Sequence, residues 1–74
     1  MFASDLDIGQ LAVIEKVAES KLQNKLIEMG CFEGNTITKI FNSPLGDPSA
    51  FDINGYVLGL RKEEASLIHV ILKK

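Results

Sequence analysis

Cys31 and His69 are the only cysteine and histidine in a chain of 74 residues. A nucleophilic site needs a serine or cysteine within reach of a histidine and an orienting carboxylate. His69 lies inside the apolar run "LIHVIL", where it reads as a half-exposed strand residue and not as a base. Ferrous iron favours imidazole and carboxylate ligands in compact sets. One histidine cannot supply a two-histidine, one-carboxylate set in a monomer, and the ten carboxylates are scattered as solvating charge. Neither a Gly-x-x-x-x-Gly-Lys-Ser/Thr loop nor a Gly-x-Gly-x-x-Gly stretch occurs, so no phosphate cradle is expected. The reading is therefore of a protein with no catalytic residue, no metal ligand and no cofactor, in which Cys31 is a small apolar residue under the core.

The chemistry on offer is that of recognition. "NSPLGDPSAFDINGYVLGLRK" holds both prolines and three of the six glycines. Pro44 and Pro48 fix φ at two points and push Ser43 and Asp47 out of the helical region, while Gly46 bends between them. A stiff, preset loop is expected, with Leu45 at its tip either packed inward or exposed, and with Asp47 accepting backbone N–H bonds inside the loop. Beyond it, Arg61 and Lys62 offer charge and hydrogen bonds to an acidic or carbonyl-rich surface. The candidate partner-binding residues are Pro44, Leu45, Gly46, Asp47, Arg61 and Lys62.

The elements that must position these groups follow from periodicity. "GQLAVIEKV" is a short Val- and Ile-rich strand, apolar on both faces, preceded by "SDLDIG", a turn that folds Leu6 and Ile8 onto the core. "SKLQNKLIEMG" changes period, with Leu22, Leu26 and Met29 forming a stripe that Ile27 widens. Ser20 and Gln23 predict a capping box and Gly30 the helix end, giving one helix of about three turns. "NTITKIF" is a second strand with Ile37 and Phe41 on one face. Asn54-Gly55 predicts a two-residue type I′ hairpin. It pairs Ile53 with Tyr56 and Phe51 with Leu58, and sets Gly59 opposite Ala50 as a thin place on the outer face. "KEEAS" is at most a helical turn, and "LIHVIL" is a last strand with Ile68, Val70 and Leu72 inward. The fold class is mainly β: an SH3-like barrel of about five strands, with one short α-helix between the first and second.

Composition limits the partners. Formal charge is −2, with a sequence pI near 5.2 and no long Lys/Arg cluster, so the electrostatic term that drives nucleic-acid binding is missing. No run approaches the roughly 20 apolar residues that span a bilayer, and "MFASDLDIG" lacks the basic and apolar regions of a signal peptide. A cytoplasmic protein is expected, with no nucleic-acid binding and no direct membrane insertion.

The strings "SDLDIGQ", "KLIEMGCFEGNTI", "PLGDPSAFDINGY" and "LGLRKEEA" together resemble the FeoA family of small ferrous iron transport proteins, collinearly from Ser4 to Val70. The family pattern falls on Leu45, Gly46, Asp47, Pro48, Gly55, Leu60, Arg61 and Lys62. This chain departs from it at Lys25, where the helix usually carries Arg, at Glu33-Gly34, usually Pro-Gly, and at Ser49, usually bulky and apolar. Lys for Arg removes a bidentate donor. The resemblance implies a single SH3-like domain over 1–74 that is no enzyme and docks on the cytoplasmic side of the FeoB-type membrane transporter, whose own domain binds GTP. The fold is also similar to the C-terminal domain of DtxR-type repressors. That likeness implies the alternative, a metal-responsive regulatory module or a direct metal-binding homo-oligomer using Cys31, His69 and acidic residues across copies.

Overall fold

The computed structural model describes residues 1–73. A 3-10 turn at Ala3–Asp5 leads into strand β1 (Leu11–Val17), helix α1 (Gln23–Glu28), strands β2 (Thr36–Asn42), β3 (Ser49–Ile53) and β4 (Tyr56–Leu60), helical turn α2 (Lys62–Ala65) and strand β5 (Ile68–Leu72). The strands form one antiparallel sheet in the order β4-β3-β2-β1-β5. It curls around a core that includes Leu6, Ile14, Leu26, Cys31, Ile37, Phe51, Ile53, Leu60 and Ile68, all at or below 2% exposure. The five strands and the helix between the first two are those expected from the sequence.

The β3–β4 hairpin turns where the Asn-Gly pair predicts. Asn54 has φ 51° and Gly55 φ 95°, the two positive values a type I′ turn requires. Asp52 Oδ1 accepts the Gly55 N–H at 2.9 Å and steadies the turn. The register pairs Ile53 with Tyr56, Phe51 with Leu58 and Ala50 with Gly59, as expected.

Two irregularities that alternation alone does not reveal shape the other strands. Pairing of β1 with β5 slips between Ile14 and Lys16, so the inward row runs Ala12, Ile14, Val17 and leaves Lys16 exposed. Pairing of β2 with β3 slips between Lys39 and Phe41. Phe41 was expected to share a face with Ile37. The slip instead sets it opposite Ala50 on the outer face, where it is 51% exposed.

The helix is shorter than expected. It spans six residues with Leu22 at the N-cap, and the predicted Ser20–Gln23 capping box does not form. Ser20 Oγ accepts the Leu22 N–H at 3.2 Å, and Gln23 Nε2 donates back to the Val17 carbonyl. Those side chains are spent tightening the strand-to-helix turn. Leu26 is fully buried and Leu22 and Met29 pack against the core, but Ile27 is exposed, because six residues present too narrow a stripe to the sheet. The C-terminus behaves as Gly30 predicts. With φ at 101° it lets its own N–H reach the Ile27 carbonyl and the Cys31 N–H reach the Leu26 carbonyl, a Schellman arrangement. Ile8 and Leu72, both expected inward, are exposed where chain and strand run past the core.

Replacing Asn54 and Gly55 together by valine forces two β-branched residues to positive φ, at about 1–2 kcal/mol each. Urea unfolding of that double variant is expected to show a stability loss of about 2–4 kcal/mol. Unchanged stability would mean the hairpin reverses elsewhere.

Candidate functional site

The outer face of the β2-β3-β4 sheet steps down in side-chain size from strand to strand. Phe41 on β2 pairs with Ala50 on β3, and Ala50 with Gly59 on β4, so the row runs from aromatic ring to methyl to hydrogen. An ideal Cβ built on Gly59 would lie 4.0 Å from Pro48 Cγ, which closes one side of the notch. The result is an apolar groove of about 390 Å³, walled by Phe41, Pro44, Pro48, Ala50 and Val57 and floored by Gly59. Ser43 also lines it, and its hydroxyl is buried without a hydrogen-bond partner among the described residues. Val57 is 64% exposed and Leu45, at the loop tip, 94%.

The Pro44–Pro48 loop is held from both ends. Ser43 N–H donates to the Pro48 carbonyl at 3.2 Å and Gly46 N–H to the Ser43 carbonyl at 2.8 Å; the Asp47–Pro48 peptide is cis. Asp47 was expected to serve its own loop. Its Oδ1 instead accepts the Lys62 N–H at 2.8 Å, fastening the loop to the first turn of α2. Of the six residues picked out from the sequence, Pro44 lines the groove and Leu45 stands exposed at the loop tip. Asp47 and Lys62 meet through that hydrogen bond. Gly46 and Lys62 face a separate polar hollow of about 190 Å³ that Lys39 also lines. Arg61 is exposed and extended, with φ −72° and ψ 154°, so it continues the outer row of Val57 and Gly59.

Sequence reasoning missed two residues here. Phe41 is the groove's wall only because the β2 slip turns it outward. Glu64 sits in a stretch that reads as a solvated turn, yet it is 5% exposed. Its Oε1 accepts the Arg61 N–H at 2.8 Å and its Oε2 accepts from Lys25 Nζ at 2.9 Å, joining α2 to α1. Each oxygen takes one donor, so a lysine serves at position 25 without a planar fork. The Arg61 N–H and the Lys25 ammonium together hold the Glu64 carboxyl below its ordinary 4.5, outweighing the cost of burial. Capping-box spacing was the available signal: an N3 glutamate returning to the N-cap backbone. Cys31 is fully buried, and burial, aided by the Glu64 charge, pushes its thiol up to about 11. His69 packs against the Phe2 ring, with centroids 4.4 Å apart and the ring planes tilted by 50°.

The fold is mainly β and SH3-like, with a braced loop beside an apolar groove. The FeoA domain model matches residues 1–72, and the chain belongs to that family, which is involved in ferrous iron transport. A curated relative in Porphyromonas gingivalis, a Fe(2+) transport protein A/Fe(2+) transporter FeoB fusion protein, is 38% identical over 73 residues; the match covers 97% of this chain and 9% of that protein. The FeoA-like protein of Clostridium acetobutylicum, solved by NMR, superposes with a TM-score of 0.90 at 33% identity, over 97% of this chain and 85% of that one. The zinc-complexed crystal structure of Stenotrophomonas maltophilia FeoA, described as a procaryotic SH3 domain protein, superposes at 0.85 with 25% identity, over 96% and 89%. Among the described residues no helix is long and apolar enough to cross a membrane.

Because the folded Glu64 carboxyl is held below 4.5, its contribution to stability is present above that pH and is lost as pH falls through the depressed folded value. Glu64→Gln is expected to lower stability at pH 7 by about 2 kcal/mol, the scale of a charged hydrogen bond. It should also flatten the acid side of the stability profile; a profile parallel to the parent's would remove Glu64 from this role. Native Cys31 is expected to resist iodoacetamide at pH 8 and to react once urea unfolds the chain. Rapid alkylation of the folded protein would contradict its burial.

Proposed function

We propose that this chain is a cytoplasmic accessory protein of ferrous iron uptake, acting by binding a FeoB-type transporter through the braced loop and the groove beside it. The observation that carries this is the fusion relative, in which one polypeptide combines a transport protein A part similar to this chain with the FeoB transporter. Fusion places two partners at high effective concentration without a new contact. The outer face supplies what an interface core uses: exposed aromatic and aliphatic groups around a pocket, with Pro44, Leu45, Gly46 and Asp47 presented on a loop that needs no ordering on contact. Arg61 adds a charged group along the outer row, and Lys62 one at the neighbouring polar hollow.

The chemistry of the remaining side chains supports recognition over catalysis and over metal sensing. A Cys31 thiol that is fully buried and pushed up to about 11 is far from the thiolate a metal needs. The His69 ring packs against Phe2.

Leu45→Ser tests the reading with little risk to the fold, since that side chain is 94% exposed. Its melting temperature is expected to match the parent's. Calorimetry against the transporter's purified cytoplasmic part should show about tenfold weaker binding, the scale of an interface anchor. Unchanged affinity, or no binding by the parent, would contradict it.

A further inference from the structure

The two edges of the sheet are treated differently. Along β5 the chain's own beginning covers the free side: Phe2 bridges to His69, and the Val70 N–H donates to the Met1 carbonyl at 2.9 Å. Along β4 nothing does, since the sheet ends there and no described strand lies beyond it. A two-residue type I′ loop makes Ile53 and Tyr56 a hydrogen-bonded pair. Alternation then turns the N–H and C=O of Leu58 and Leu60 toward β3, and those of Val57 and Gly59 away from it. None of these outward groups finds a backbone or side-chain partner among the described residues. Proteins normally blunt a free edge with lysine, proline or a bulge. "YVLGL" carries none of these, and the two slips in the sheet fall on β1 and β2.

What fits such an edge is constrained by what borders it. Only an extended backbone supplies alternating acceptors and donors at the spacing of Val57 and Gly59. The row Phe41, Ala50, Gly59 is open at its last place, which a large side chain on the next strand would fill, as aromatic residues do across from strand glycines. Arg61 continues the outer row as an exposed cation and asks for an anion on that same strand. A second copy meets these terms poorly. With its own β4 antiparallel about Leu58, it would bring Val57 to the Gly59 notch and only the Gly55 turn opposite Arg61.

We propose that the free edge of β4 takes up an extended peptide segment of a partner protein as a sixth, antiparallel strand. Its aromatic side chain lies over Gly59, and an acidic residue two positions earlier faces Arg61. The proposal deepens the function given above, and rests on that reading only in taking the outer face as the working surface.

The probe is a synthetic blocked peptide, Ser-Asp-Thr-Phe-Thr-Val-Ser, whose Asp, Phe and Val fall opposite Arg61, Gly59 and Val57. At saturation, hydrogen exchange by NMR should slow about tenfold at the Val57 and Gly59 amides, and little at Leu58, whose N–H is already paired. N-methylation at Phe and Val, whose N–H groups face β4, should abolish binding, while N-methylation at the two threonines should spare it. Exchanging Asp for Lys should weaken binding about threefold to fivefold. No slowing at millimolar peptide overturns the proposal, as do equal binding by both N-methylated forms and a concentration-dependent dimer that protects the same amides without peptide. The transporter's cytoplasmic part, added separately, distinguishes the two readings. If it binds and leaves the Val57 and Gly59 amides exchanging freely, the edge proposal falls and the accessory role stands. If the peptide protects those amides and the transporter part does not bind, the edge proposal stands and the accessory role falls.

Discussion

Two neighbouring residues with positive φ, Asn54 and Gly55, set the phase of β3 against β4, and the outer face depends on that phase. A one-residue error in β4 would turn Leu60 to solvent and Val57 inward, which a chain of 74 residues with so small a core could not tolerate. The same phase delivers Gly59 to the place opposite Ala50, next to Pro48. The core is therefore what enforces the register, and the groove is what the register leaves on the other side of the sheet.

A second constraint keeps the groove's wall in place. Asp47 ties the proline loop to α2 through the Lys62 N–H, and Glu64 closes α2's own first turn on the Arg61 N–H while tying α2 to α1 through Lys25. The Asp47 and Lys25 contacts join parts of the chain far apart in sequence to a four-residue turn that could not hold its shape alone. Binding surfaces gain affinity when ordering is done beforehand, and here it is done by carboxylates on backbone N–H groups. The loop's stiffness is thus a property of the loop and α2 together.

The strand count, the hairpin and its register, the helix end at Gly30 and the buried Cys31 were legible in the residues, because each rests on a local rule with a strong energetic preference. Slips in pairing were not. A slip depends on the partner strand, and simple alternation carried Phe41 to the core side when the break at Ile40 sends it out. Glu64 was missed because "RKEEA" looks the same whether the turn faces water or another helix. The helix was overestimated for a related reason: Ser20 and Gln23 have the types of a capping box, and tertiary context spends them on the turn before it. The proline loop and the thin place at Gly59 were both visible in the sequence. That they adjoin, and that Phe41 completes the groove between them, was not.

We propose that this outer face, and not the helix side, meets a FeoB-type transporter. Chemical-shift mapping of the isotope-labelled protein against the transporter's soluble cytoplasmic part tests it most directly. Perturbations are expected to concentrate at Phe41, Leu45, Val57 and Gly59, with α1 and the Phe32 side quiet. Perturbations centred on α1, or spread evenly over the surface, would contradict it.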